Sequence, residues 1–194
     1  MQIEIPVKYY GQVSGTHATS IATARATSTG FANNTAHVGQ LRITTPVALY
    51  GVYRIFLSFD TSILQDALVS QVNLRMQCNT DNSATNFNVQ IVEQDWSASD
   101  PITNGNRETV YDACLAAASS ILWRSTSGIS LNTDYDSANL TTSRIAKNGI
   151  TYFSLRSSRD KAANTPTGLE DIFLTNIRLV VQTTTFMTPQ VIFI

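Results

Sequence analysis

Apolar and polar side chains alternate without a fault from Gln71 to Cys78, with Val72, Leu74, Met76 and Cys78 on one face and Gln71, Asn73, Arg75 and Gln77 on the other. That period of two predicts an antiparallel strand buried on one side. After the turn cluster Asn79-Thr80-Asp81-Asn82-Ser83 the pattern returns, with Phe87, Val89 and Ile91 alternating with Asn86, Asn88 and Gln90, and the two runs read as a hairpin or meander. Upstream, Tyr53, Ile55, Leu57 and Phe59 share one face of a strand that ends at Asp60-Thr61-Ser62. Its other face carries Arg54, Phe56 and Ser58, which predicts burial on one side and partial cover on the other. Short strands are expected from about Ile21, with Asn33-Asn34 and Gly39 as punctuation before Gln40–Ile43, and again over Gly149–Arg156 and Ile177–Gln182.

One segment departs from that period. From Glu108 to Trp123, Val110, Cys114, Ala117, Ala118 and Ile121 recur at intervals of three and four amid alanines, predicting one helix over about 108–123. A polar loop through Asn132, Asp134 and Asp136 follows. Residues 1–20, with Gly11, Gly15 and a Thr/Ser/Ala mixture, show neither period and read as an N-terminal arm. Residues 184–194 read as an apolar tail whose β-prone side chains would pair with its own sheet or a neighbouring chain. Between them, 21–183 hold roughly seven to ten strands and one helix, the pattern of an all-β, antiparallel β-sandwich domain.

The 194 residues suffice for one domain with a real core, or at most two small ones. Thr, Ser and Asn total 58 against 27 acidic and basic side chains, so hydroxyls and amides rather than ions wet the surface. A net charge of -1 argues against nucleic-acid and anionic-membrane partners, which require clustered Lys and Arg. No window approaches the ~20 apolar residues of a membrane span. The opening MQIEIPVK lacks the basic start, apolar stretch and cleavage site of a secretory signal, so export by the general pathway is not expected. Cys78 and Cys114 read as buried thiols.

The stretch YRIFLSFDTSILQDALVSQVNLRMQ resembles the signature of the DNRLRE jelly-roll domains through Arg54, Phe56, Leu57, Phe59 and Asp60, then Val72, Leu74 and Arg75. A second block, Val89–Ser97, is similar to that family's strand running into a Trp-Ser turn, and YFSLRSSRDKAANTPTGLEDI resembles its late strand and Arg-Asp loop. The three blocks occur in the family's order over roughly 21–183; the arm and tail lie outside, and the absent signal is unlike the large exported proteins that carry such domains. The resemblance implies a jelly-roll β-sandwich used for binding or display, as in carbohydrate-binding modules and phage structural proteins.

Catalysis finds little support. His17 and His37 lie in the weakly patterned N-terminal part with no nucleophile elbow, and two His with two Cys show no close metal-ligand spacing. Asp134, Asp136, Asp95 and Asp100 put oxygen ligands in loops, as a structural calcium would need, but without the spaced calcium-loop pattern; they read as turn carboxylates, and no cofactor is expected. Glu93, Asp95, Glu170 and Asp171 are the acids available for glycoside hydrolysis. Trp96, Trp123, Tyr135 and Arg156 are candidate glycan contacts, Trp96 and Trp123 equally reading as packing at the ends of the sandwich. Arg156, Arg159, Asp160 and Lys161 form the densest charge cluster, read either as a solvated loop with internal Arg-Asp pairing or as a partner-docking surface. The expected function is non-enzymatic: a virion component such as a capsid decoration, head-fibre or tail protein, made in the host cytoplasm and assembled with other virion subunits as a homo-oligomer. The assembly contacts would come from Ile3, Ile5, Tyr9, Tyr10, Phe186, Val191, Ile192 and Phe193 in the arm and tail. The rival reading is a carbohydrate-binding module that attaches to surface glycans.

Overall fold

Isoleucine, valine and tyrosine scattered among Gly, Ser and Thr build a 16-residue strand, β1 (Gln2–His17), where an irregular arm is expected. The computed structural model describes residues 1–184. It shows why the period of β1 is hidden: a Cβ on Gly15 would stand 1.9 Å from the Ala24 carbonyl oxygen and 2.6 Å from the Thr27 carbonyl oxygen and the Tyr111 hydroxyl. Helix α1 (Ile21–Ala26) therefore lies directly on the strand, and small residues occupy positions where apolar ones would have marked it. Helix α1 itself stands where short strands are expected to begin, and the Ser20 hydroxyl accepts the Thr23 N–H at its start.

The chain continues through β2 (Gly30–Asn33), β3 (His37–Ile43), β4 (Leu49–Asp60), β5 (Leu68–Asp81), β6 (Asn88–Val92), helix α2 (Arg107–Ala116), β7 (Ile121–Ser125), β8 (Asp134–Asp136), β9 (Ile150–Ser157), helix α3 (Ser158–Lys161) and β10 (Leu169–Thr184). The protein is mostly β, with three short helices among the described residues. The pairings are antiparallel. Strand β10 bonds to β3 through Leu169–Phe173, to β1 through Arg178–Gln182, and to β5 from Ile172 to Thr184. Strand β1 changes partners midway: Gln2–Pro6 pair with β10, and beyond a bulge between Val7 and Tyr9 the strand pairs with β4 and β2. From β4 the network continues through β9 and β6 to β7.

Two cores lie on opposite faces of β4. The larger takes Ile55, Leu57 and Phe59 together with Val72, Leu74, Met76 and Cys78 of β5, Val89 and Ile91 of β6, and Leu179 and Val181 of β10. The smaller takes Val52 and Phe56, with Val13 of β1 and Val110, Tyr111 and Cys114 of α2. Strand β4 is thus buried on both faces, more fully than its pattern predicts.

Three element predictions need correcting. Strands β5 and β6 do not pair: β5 bonds to β10 and β8, and β6 to β7 and β9, so the two face the same core from different neighbours. A period of two encodes which face is buried and carries nothing about which strand lies alongside. The helix expected over 108–123 stops at Ala116, and Ile121–Ser125 joins β6 as β7. The polar loop through Asp134 and Asp136 contains β8, paired with Arg75–Gln77.

Cys78 sits in the larger core and Cys114 in the smaller, both as free, buried thiols. Burial, with Asp81 nearby, pushes the Cys78 thiol up to about 11, and burial likewise raises Cys114. A thiol reagent at about pH 8 should leave the native protein unmodified and titrate both cysteines once denaturant unfolds it. Equal labelling rates in the two states would contradict this packing.

Candidate functional site

A lone arginine in an apolar strand organises the polar interior. The Arg54 side chain has no exposed surface, and its guanidinium grips the Asp160 carboxylate with two bonds, Nε to Oδ2 at 2.8 Å and Nη2 to Oδ1 at 3.0 Å. It also donates to the carbonyls of Tyr111 (2.9 Å) and Arg25 (3.1 Å) and lies 3.7 Å from the centre of the Tyr111 ring. Burial alone would lower its pKa, but Tyr111 and the Asp160 charge and hydrogen bonds outweigh that, so the pKa is raised and Arg54 stays charged. Arg25 donates to both the carbonyl (3.0 Å) and the carboxylate (3.2 Å) of Asp160. The Arg54–Asp160 pair thereby ties β4 and α3 to α1 and α2.

The charge cluster at 156–161 is therefore largely turned inward, not a solvated loop with internal pairing, and only Arg159 and Lys161 keep partial exposure. Arg156 is 1% exposed. Its Nη1 donates to the carbonyls of Cys114 (2.7 Å), Leu115 (3.0 Å) and Ala117 (3.0 Å), and its Nε to Gln90. Those carbonyls are the unpaired ones at the end of α2, so Arg156 terminates the helix that the alanine pattern would have carried further. Asp160 is buried, and Arg159 pairs with buried Glu170 at 2.6 Å.

The aromatic candidates do not form a platform either. Trp96 is buried, donates its indole N–H to the Phe153 carbonyl (3.1 Å) and packs edge-on against Tyr9, Phe56 and Tyr152. Trp123 is buried in the larger core and donates to the Tyr135 carbonyl at 2.9 Å. Neither offers a ring face to a sugar. Tyr135 is half-buried, and the Arg124 guanidinium already covers its ring at 4.0 Å. Of the assembly candidates, Ile5 is buried, while Ile3, Tyr9 and Tyr10 are half-buried in β1; Phe186, Val191, Ile192 and Phe193 lie outside the described residues.

The four acids weighed for hydrolysis belong to two separate settings. Glu93 and Asp95 line a recess of about 200 Å³ with Arg144 and Tyr152. That is below the ~300–1,000 Å³ of ordinary ligand sites, and Glu93 is already engaged by the Thr141 N–H (2.6 Å) and hydroxyl (2.7 Å). Asp95 accepts the Ser97 N–H at 2.9 Å. Tyr152 donates to Asp100 at 3.0 Å, and burial together with that bond pushes its hydroxyl up to about 12. Glu170 and Asp171 are buried on β10, Glu170 held by Arg159 and Gln40 and Asp171 by Asn82. His37 lies between the rings of Tyr53 (3.8 Å) and Phe173 (4.2 Å). Its Nε2 is 3.2 Å from Asp171, at an angle that makes no hydrogen bond. His17 accepts the Thr19 and Ser20 N–H groups in the turn before α1.

Of the loop acids considered for calcium, Asp95 and Asp100 take the neutral partners given above, and Asp134 and Asp136 are paired with arginines. Asp136 pairs with Arg75 (2.5 Å) and Asp134 with Arg178, and both arginines also reach Glu4 on β1. Among the described residues no three His, Cys, Asp or Glu side chains converge as metal ligands, and no helix is long and apolar enough to cross a membrane.

A second, larger recess of about 350 Å³ runs beside the start of β1, walled by Ile5, Pro6, Val7 and Ile63 with Lys8 and Asp60. It opens where β1 and β4 part, their pairing reaching only to Val7 and Phe59. The buried charges fall within the resemblance blocks and the 156–161 cluster, with no sequence signal that they face inward, and this edge gave no signal. No protein-family model and no curated protein matches the chain.

Proposed function

We propose that this chain is a non-enzymatic structural component of a virion or comparable particle, a jelly-roll β-sandwich that joins other subunits through the strands near its two ends. The observation that carries this reading is the pairing of Gln2–Pro6 with Arg178–Gln182, which brings both ends of the described chain to one side beside an open strand edge. Two further features support it. The charged residues suited to chemistry, Arg54, Arg156, Asp160 and Glu170, are all buried as internal struts, and the cores on both faces of β4 suit a rigid displayed domain. The test is the solution mass of the full chain by light scattering, with a glycan array probed on the same sample. A stable homo-oligomer that retains no glycan is expected. A monomer at every concentration with reproducible glycan binding would replace this reading with a carbohydrate-binding module.

A further inference from the structure

Asn-Gly occurs twice in the chain, at Asn104-Gly105 and Asn148-Gly149. In such a pair the side-chain amide carbon can be reached by the next backbone nitrogen, and glycine puts no side chain in the way. Ring closure joins the glycine nitrogen to the asparagine Cγ and expels ammonia, which carries off the proton of that nitrogen. Water then opens the succinimide at either of its carbonyls and leaves aspartate or isoaspartate. Water is the only co-reactant, so the surroundings of the pair set the rate.

The two pairs stand in different settings. Asn104 and Gly105 are exposed at the tip of the turn that leads into α2. The ends of that turn are fastened: Asn106 accepts the Thr103 N–H at 2.7 Å and donates to the Ser99 and Pro101 carbonyls, and the Thr103 carbonyl accepts the Arg107 N–H at 3.0 Å. The tip is held less. The Gly105 N–H donates to the Thr103 hydroxyl at a long 3.3 Å, and a Cβ on Gly105 would meet nothing nearer than that hydroxyl at 3.8 Å. The Arg107 guanidinium donates to the Asn104 side-chain carbonyl oxygen, the atom on which negative charge develops as the nitrogen attacks. At the second pair the Gly149 N–H is committed to the Ala146 carbonyl at 3.0 Å. The Gly149 carbonyl accepts both the N–H (2.9 Å) and the hydroxyl (3.0 Å) of buried Thr61, so Gly149 is pinned through both its backbone groups. We propose that Asn104 is a site of spontaneous deamidation in the folded protein, assisted by Arg107, and that the fold protects Asn148. The new carboxylate stands in solvent beside Arg107, an exposed pair of little weight for stability, so the chain gains a negative charge and keeps its fold.

The test incubates the full chain at mildly alkaline pH, native and in denaturant, and maps its peptides by mass spectrometry, with isoaspartate counted by enzymatic carboxyl methylation. In the native protein Asn104 should convert roughly tenfold faster than Asn148. In denaturant the two rates should converge, because both are then bare Asn-Gly pairs. Arg107→Gln should slow the native conversion of Asn104 by roughly threefold to tenfold, the rate equivalent of one hydrogen bond, and leave the rate in denaturant nearly unchanged. Equal native rates at the two pairs, or conversion of Asn104 only after unfolding, would overturn the site. A native rate untouched by Arg107→Gln would overturn the assistance by Arg107 and leave the site standing. Should Arg107→Gln lose the wild-type circular dichroism, Arg107→Met replaces it under the same criteria.

Discussion

Replacing Asp160 with alanine is expected to destabilise the protein by about 3–5 kcal/mol, the cost of leaving a buried charge without its partner. Arg54 is the charge in question: it is fully buried, and a guanidinium does not deprotonate inside a protein, so the charge remains when Asp160 is lost. Arg25 loses its carboxylate partner as well. Against a typical total of about 5–15 kcal/mol, this is a large part of the fold's stability. The melting temperature should fall by roughly 6–20 °C at this chain length, which calorimetry would measure. R54M alone should be similarly damaging, whereas R54M together with D160L should cost less than the sum, since both charges then leave the interior together. A D160A protein within about 1 kcal/mol of wild type would show that the pair does not organise the domain.

Gly15→Ala should be nearly as severe. The new methyl would meet two backbone carbonyl oxygens, and backbone yields less readily than a flexible side chain. Helix α1 must move away, which breaks the 2.7 Å bond from the Tyr111 hydroxyl to the Ala24 carbonyl and disturbs the Arg25 carbonyl that receives Arg54. Overpacking at about 1–3 kcal/mol and a buried hydroxyl left without its acceptor at about 1–3 kcal/mol together predict a loss of roughly 2–6 kcal/mol by denaturant titration. Gly149→Ala is the control: a Cβ there meets nothing within 4 Å, so little change is expected. Equal effects at the two glycines would mean that contact with α1 is not what requires Gly15.

What could be read from the chain divides along physical lines. Strand β5 was legible because Val72, Leu74, Met76 and Cys78 fill the core while the other face stays polar, with Asn73 buried on Ser137 and Asn139 and Arg75 and Gln77 half-buried. The positions of β9 and β10 were legible from their runs of strand-forming residues although both strands are largely buried on two faces, and β10 begins eight residues before the expected Ile177. Strand β4 was legible as a strand, but its second buried face was not, because Arg54 and Ser58 look solvent-facing until Asp160, about a hundred residues later, is known to lie beside Arg54. The end of α2 was hidden for the same reason. It is set by Arg156 reaching from β9, whereas helix periodicity reports only local spacing. Strand β1 was missed because packing against α1 demands glycine where a strand pattern would carry bulk. The candidate site fared worst. Arginine and tryptophan have the same letters whether they face a ligand or the interior, and an open strand edge is a property of pairing rather than of residue type.

Strand β10 has a kinetic consequence as well. It bonds to β1, β3 and β5, so both the earliest and the middle strands lack a neighbour until residues 169–184 have left the ribosome. The loop closed by Gln2 and Gln182 spans nearly the whole described chain, which places this fold among the slow, high-contact-order class. During synthesis the exposed flanks of β1 and β5 would remain sticky, and chaperone occupancy should therefore persist until β10 emerges.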